Sequence, residues 1–283
     1  MKLCRIEHGL MVCLASLVGW LSSNPIPSVS STTALVIGLL SALLVEISTF
    51  VLNDYFNIEE DRVSKPYRPI VAGEISAREA LVFGVCTTIL SIILSLFIVF
   101  FYSLYTQFII ILIALLLGLL YNSKCKKIPV LGNSIVAILT AAPFVYGHYL
   151  YSDTPIAMKT GLYTLIAFFA TLGREIVKGI VDLEGDKVAG VKTIAVVWSP
   201  RIAAVISSVL MMIAVVLSLI LFAFPVSYVR FILFSALIIT TDIIFIKSAI
   251  MILQSATIDV ADRVRKLSLF GMLTGILSFI VIA

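Results

Sequence analysis

Apolar runs about as long as a bilayer is thick recur from one end of this chain to the other, and no other feature restricts its fold as much. A helix needs roughly 20 apolar residues to cross the hydrocarbon core. By that measure the sequence holds nine candidate spans, near residues 10–23, 33–53, 80–102, 104–121, 130–151, 155–175, 202–224, 229–250 and 266–283. In lipid every backbone N–H and C=O must be satisfied within the structure that spans, which leaves helices and closed barrels. The alternating polar strands of a barrel do not occur here. The expectation is an all-α polytopic membrane protein, a single transmembrane domain over 1–283 with about nine helices bundled around a central cavity. Composition agrees, with 61% of the residues hydrophobic and 13% charged, against about 25% charged in soluble domains.

Nine spans assign the loops to alternate sides of the membrane, and the basic residues test the assignment. Of the 20 Lys and Arg, all except Lys159 and Arg230 fall on the side of the N-terminus, the asymmetry that marks cytoplasmic loops. A multi-pass protein of the cell membrane follows, with its N-terminus and charged loops in the cytoplasm. The net charge of +4 then reflects topology and anionic headgroups rather than nucleic acid. The opening stretch MKLCRIEHGLMVCLASLVGW has the basic and apolar regions of a signal peptide, but no A-x-A cleavage site follows, so it is read as a retained first span. Cys4, Cys13, Cys86 and Cys125 are scattered without a C-x-x-C, which excludes a disulfide framework and a zinc site.

The acidic residues also lie mostly on the basic side, and they form two clusters. Asn53, Asp54, Asn57, Glu59, Glu60 and Asp61 follow the second run; Glu175, Asp182, Glu184 and Asp186 follow the sixth. Asn53, Asn57 and Asp61 recur every four residues, as do Arg174, Lys178, Asp182 and Asp186, so on a helix each set lies along one face. Carboxylates stacked at that spacing repel one another, and a divalent cation would relieve them. A shift of 125 positions lays Asn57 on Asp182, Asp61 on Asp186 and the tripeptide DRV on DKV. The spacing implies two four-helix repeats, about 1–125 and 126–250, plus a final helix, with a carboxylate ladder at the end of the second helix of each repeat. Two ladders facing each other across a cavity would offer hard oxygen ligands suited to Mg2+, which keeps its waters and shares its coordination with phosphates. Charge at the end of a span is ordinarily a solvated loop. Two related ladders at equivalent places make a metal and phosphate site the stronger reading.

The stretch NDYFNIEEDRVSKPYRPIVAGEIS resembles the first signature of the UbiA-type intramembrane prenyltransferases, N-D-x-x-D-x-x-x-D followed by a basic R-P-I-P-S-G segment. VDLEGD, with Asp182 and Asp186, resembles their second, D-x-x-x-D. The likeness covers the whole chain, and within the superfamily GREIVKGIVDLEGD is most similar to the archaeal digeranylgeranylglyceryl phosphate synthases. Two positions depart from the pattern. Asn57 stands where the family has Asp and brings a carbonyl oxygen without charge. The family's Tyr-x-x-x-Lys element matches Tyr121 but has Cys125 at the lysine position, with Lys124 and Lys126 on either side.

The resemblance implies a reaction. Asp54, Asp61, Asp182 and Asp186, the catalytic acids, would hold Mg2+ together with Asn53 and Asn57, and the metal would bridge to an allylic diphosphate. Arg68, Tyr121, Lys124, Arg174 and Lys178 would bind that diphosphate, and its departure would leave an allylic cation shielded by apolar helices and by aromatic rings such as Tyr55, Phe56, Tyr121, Phe144 and Tyr146. The prenyl group, geranylgeranyl by this resemblance, would pass to a lipid-soluble acceptor, the hydroxyl of geranylgeranylglyceryl phosphate in archaeal ether-lipid synthesis. Lys126 and Lys127 would take the acceptor's phosphate. An aromatic acceptor of the quinone or chlorophyll type is the alternative within the family, and a secondary transporter is the alternative outside it. Nothing in the sequence calls for nucleic acid or an obligatory protein partner; the partners are the two substrates and membrane lipid. Glu46 and Asp242 lie inside spans, where an acid is by default a functional candidate, and His148 near the far end of the fifth span reads as structural.

Orientation is open to direct measurement. With the four native cysteines replaced, a cysteine at Ser152 is expected to react with a membrane-impermeant thiol reagent in intact cells and one at Glu74 to stay protected; the opposite pattern inverts the topology.

Overall fold

A computed structural model describes residues 3, 5–23, 26, 28–123, 125–188 and 190–283, and every regular element among them is helical. In chain order these are α1 (Ile6–Leu21), α2 (Val29–Phe56), α3 (Ile58–Ser64), α4 (Ala77–Tyr102), α5 (Thr106–Ser123) and α6 (Leu131–Tyr149). Then come α7 (Met158–Val181), α8 (Leu183–Val188), α9 (Ile194–Val197), α10 (Pro200–Ile220), α11 (Tyr228–Gln254) and α12 (Ile258–Ile282). Six helices among the described residues are long and apolar enough to cross a membrane, namely α2, α4, α5, α10, α11 and α12, and α1 is a shorter apolar helix. The other two expected spans coincide with α6 and α7, whose apolar character is interrupted by Asn133 and His148 in the one and by Lys159, Arg174, Glu175 and Lys178 in the other. Cys13, Cys86 and Cys125 are free thiols; Cys4 lies outside the described residues.

The chain forms two compact units, Met1–Cys125 with Ala142–Ile156, and Lys126–Ala141 with Ala157–Ala283. In the first, α2 packs on α4, α1 and α5. The face of α4 turned inward is Ala80, Gly84, Thr87, Ser91 and Ser95. These small residues let the backbones approach where no hydrophobic force drives helices together in lipid. Gly84 faces Leu52 and Val51, and the Ser41 hydroxyl donates to the Ser91 carbonyl at 2.9 Å. Gln107 of α5 is fully buried, so both ends of its amide must be satisfied. Its nitrogen donates to the Ser95 and Leu104 carbonyls at 3.0 and 3.1 Å, and its oxygen accepts from the Ser95 hydroxyl at 2.6 Å. α1 lies directly on the second half of α6. A Cβ added to Gly147 would run into the Ser16 carbonyl oxygen, and one on Gly19 into that of Phe144. The Tyr146 hydroxyl donates to Gly38 at 3.0 Å, and His148 is buried against the Ser23 hydroxyl at 2.7 Å, a structural place as expected.

In the second unit α7 packs on α10 and α12, and α11 on α10 and α12. Small residues again line the seam, Ala203, Ala204, Ser207, Ser208 and Ala214 on α10, while Tyr163 stacks on Phe279 at 4.5 Å. Asp242 sits inside this packing with the Ser218 hydroxyl 2.9 Å from both of its oxygens. Its polarity is met by a neighbouring helix.

The backbone contact at Gly147 makes a specific demand. Gly147→Ala is expected to destabilise the protein by about 1–3 kcal/mol through overpacking, whereas Gly161→Ala, where a Cβ meets nothing within 4 Å, should be neutral or stabilising by up to about 1 kcal/mol. Thermal unfolding of both variants in detergent checks the contrast.

Candidate active site

α2 ends at Phe56 and α3 begins at Ile58; between them Asn57 sits at φ −105°, ψ 15°. In the second unit α7 ends at Val181 and α8 begins at Leu183, with Asp182 at φ −87°, ψ 8°. Both values lie near the sparsely populated bridge region of backbone space, where active-site residues are found. The two breaks fall on the residues that the shift of 125 positions aligns. The four-residue register survives each of them. In the first unit the amides of Asn57, Asp61 and Lys65 donate to the carbonyls of Asn53, Asn57 and Asp61 at 3.1, 2.8 and 2.8 Å; in the second, those of Asp182 and Asp186 donate to Lys178 and Asp182 at 2.9 and 2.8 Å. Each ladder is therefore carried across a joint between a long helix and a short one. The short helices open with acids, Glu59, Glu60 and Asp61 in α3, Glu184 and Asp186 in α8, the charge that a helix N-terminus favours.

The first cluster is organised around one arginine. Pro66 disfavours helix continuing through Lys65, the chain turns through KPYRP, and Arg68 returns to the ladder. Its Nη1 lies 2.5 Å from Asp54 Oδ1 and 2.6 Å from Asp61 Oδ2. Arg5, held in the left-handed region at φ 41°, brings Nη2 to the same Asp54 oxygen at 3.0 Å and rests its guanidinium on the Phe50 ring at 4.4 Å. Burial pulls the Arg5 pKa below its ordinary value, and the Asp54 charge opposes that shift. Asn53 Nδ2 donates to Asn122 Oδ1 at 2.6 Å, tying the ladder to the end of α5, and Asn57 Nδ2 donates to the Asn53 carbonyl at 2.6 Å. The Asn57 amide oxygen is of the type that ligates a hard cation.

In the second cluster Glu175, only 7% exposed, accepts from Arg174 Nη1 at 3.0 Å and Lys178 Nζ at 3.2 Å. Burial and, next, the negative charge of Asp182 push the Asp186 pKa up to about 6; Lys126, Lys178 and the Thr193 hydroxyl pull it back. Gly190 at φ 68° closes the turn after α8, and the Val191 amide returns to the Asp186 carbonyl at 2.8 Å. Lys126, Lys178, Asp182 and Asp186 thus belong to one electrostatic neighbourhood. Lys127 is exposed in the turn before α6 and Tyr121 half-buried near the end of α5. Lys124 lies outside the described residues. Phe144 and Tyr146 are sealed in the packing of the first unit.

Among the described residues no three His, Cys, Asp or Glu side chains converge as they would around a metal ion. The donors present nonetheless suit a hard divalent cation. The first cluster offers carboxylate and carboxamide oxygens and the second carboxylates alone, and there burial and the neighbouring Asp182 charge disfavour an ionised Asp186, which a bound cation would offset.

Sequence reasoning passed over several of these groups. Arg5 counted only as a topological charge and Glu175 as one more acid, while Asn122 and Thr193 drew no notice. Arg5 and Asn122 lie 49 and 69 residues from the side chains they hold, beyond the reach of any helical period.

The profile of the UbiA prenyltransferase family matches residues 10–281. The digeranylgeranylglyceryl phosphate synthase of Saccharolobus solfataricus is 31% identical over 286 residues, which cover 99% of this chain and 95% of that protein. A solved structure described as giving insights into digeranylgeranylglyceryl phosphate synthase in membranes aligns with a TM-score of 0.75 and 30% identity over 99% of this chain and 96% of the other. A UbiA homologue from Archaeoglobus fulgidus, described as bound to GPP and Mg2+, aligns with a TM-score of 0.71 over 98% of both chains; at 23% identity it bears on the fold alone.

Asp54 and Asp61 are 3% and 4% exposed, so the loss of Arg68 leaves the buried Asp61 without its ion pair and Asp54 with Arg5 alone. Arg68→Ala is expected to cost about 3–5 kcal/mol of stability. Arg62→Ala, which breaks a pair exposed at 63% and 81%, should cost less than about 1 kcal/mol. Thermal or denaturant unfolding of the two variants separates a built cluster from a surface one.

Proposed function

This chain belongs to the UbiA prenyltransferase family, and from that premise we propose that it transfers a geranylgeranyl group from its allylic diphosphate to the hydroxyl of geranylgeranylglyceryl phosphate, a step of archaeal ether-lipid synthesis that requires Mg2+. The observation that carries this reading is the pair of carboxylate ladders, each broken at the equivalent residue, Asn57 and Asp182. End-to-end similarity to the digeranylgeranylglyceryl phosphate synthase of Saccharolobus solfataricus supports the acceptor. Membership of a prenyltransferase family sets the transporter reading aside.

Asp54, Asp61, Asp182 and Asp186, with the amide oxygens of Asn53 and Asn57, are the residues that would hold Mg2+. When bound, the metal supplies positive charge to the diphosphate oxygens and so favours ionisation at C1. Arg68, Lys124, Arg174 and Lys178 add fixed positive charge for the leaving pyrophosphate, and Tyr121 a hydroxyl donor. Lys126 and Lys127 take the acceptor's phosphate. Apolar helix faces keep water from the allylic cation, and the prenyl tail lies between helices, open to lipid. The same reading makes the chain one transmembrane domain of nine spans, N-terminus in the cytoplasm, with α1, α6 and α7 completing the six spans already recognised. Two four-helix repeats and a final helix account for the recurrence of α2–α3 as α7–α8 at an offset of 125 residues.

Purified enzyme given geranylgeranyl diphosphate and Mg2+ should form the ether with geranylgeranylglyceryl phosphate and leave 4-hydroxybenzoate untouched. Chelation of the metal should stop turnover. Asp61→Ala and Asp182→Ala should each lower turnover by about 10²-fold or more while the folded protein persists. Prenylation of the aromatic acid instead would move the chain to the aromatic-acceptor class, and full activity of either variant would remove that residue from the site.

A further inference from the structure

We propose that Glu46 is the base that receives the proton of the acceptor hydroxyl during prenyl transfer, an assignment that rests on the reaction proposed above. Glu46 lies within α2, between Leu43, Leu44 and Val45 on one side and Ile47 on the other. An acid inside a membrane span is costly, and such residues mark sites of function. The four acids that are fully buried among the described residues are satisfied by protein groups. Asp242 has the Ser218 hydroxyl, Glu175 has Arg174 and Lys178, and Asp54 and Asp61 have Arg68. Glu46 is different, because among the described residues no hydrogen bond or ion pair reaches its carboxyl. Nor is it sealed away, since the residue is partly exposed.

Its place on α2 relates it to the first cluster. Glu46, Phe50 and Asp54 follow one another at four-residue spacing and so share a face of the helix. Arg5 spans that face, bound to Asp54 at 3.0 Å, resting on Phe50 at 4.4 Å and within electrostatic reach of Glu46. Arg5 thereby keeps a positive charge beside a carboxyl that has no direct partner. At 1.5 Å of rise per residue, Glu46 is about 12 Å further along the helix than Asp54. A diphosphate engaged at Asp54 and Asp61 with its chain directed inward carries its reacting carbon to a depth between the two acids. The acceptor hydroxyl would then stand between that carbon and Glu46.

The chemistry calls for such a group. The acceptor oxygen forms a bond to C1, the bond from C1 to the diphosphate oxygen breaks, and its electron pair leaves on pyrophosphate. The hydroxyl proton passes to a Glu46 carboxylate oxygen and is given up to pyrophosphate or water as the products depart. With a glutamine at position 46 the cation can still form, but capture by the acceptor loses its base and competes less well with water.

The test compares wild type, Glu46→Gln and Glu46→Asp for ether and free prenyl alcohol formed from geranylgeranyl diphosphate, Mg2+ and geranylgeranylglyceryl phosphate. Ether formation by Glu46→Gln is expected to fall about 100-fold and its ratio of alcohol to ether to rise, with Glu46→Asp recovering part of the ether. Ether formation within about threefold of wild type, or ether and alcohol falling in step with no change of ratio, overturns the assignment. Wild-type enzyme that forms no ether overturns the proposed reaction and this assignment with it, so the wild-type arm judges the reaction and the variants judge Glu46.

Discussion

Asp54 and Asp61 are both almost wholly buried, and neither could stay ionised there alone, because removing a carboxylate from water costs several kcal/mol even after the protein relaxes. Arg68 lies within 2.6 Å of both, so one guanidinium answers two charges. Through it the end of α2, the short helix α3 and the turn behind the two prolines become one object, and Arg5 adds the start of α1. Beneath this cluster the packing is apolar and close, with Val51, Ala80 and Leu3 sealed against Ile47, Ile70 and Ile75. The charged end of the unit is thus as tightly specified as its core. That rigidity is what a site needs if its oxygens are to meet a ligand without first being reorganised.

The joints at Asn57 and Asp182 show how a helix can deliver such oxygens. An unbroken helix would keep all its amides and carbonyls committed to itself. Interrupting it at a residue with a short polar side chain, which competes for backbone hydrogen bonds, creates a second helix start one residue later. The acids of α3 and α8 gather at those starts while the four-residue ladder runs on. The recurrence of this arrangement after 125 residues is a backbone likeness between the two units, visible in each of them separately.

The inward acids separate by their partners. Asp242 and Glu175 are held by a hydroxyl and by two bases, which makes them part of the packing. Glu46, which has no hydrogen-bond or ion-pair partner among the described residues yet lies in reach of Arg5, is an acid inside α2 whose cost these partners do not offset. The distinction follows from hydrogen-bond partners rather than from position in the sequence, since Glu46 and Asp242 both look like isolated acids in apolar runs.

Much of this was legible from residue order. Runs of bilayer length dictate helices because lipid leaves the backbone no other partner. The spacing Asn53, Asn57, Asp61 and its echo at Asp182 and Asp186 announce aligned oxygens because side chains four apart share a helical face. What periodicity could not convey is where each long helix stops: Asn57 and Asp182 look like interior positions of a continuous ladder, and at Asn57 the side-chain amide donates to the Asn53 carbonyl where the helix ends. Nor could it convey that Arg68 would fold back on Asp54 and Asp61, that Arg5 would reach Asp54 from another helix, or that Asn122 would hold Asn53. The sequence by itself determined the solvent, the helices and the chemical identity of the oxygens; only the tertiary structure decided which of the described charges are paired, because pairing depends on distances between segments far apart in the chain.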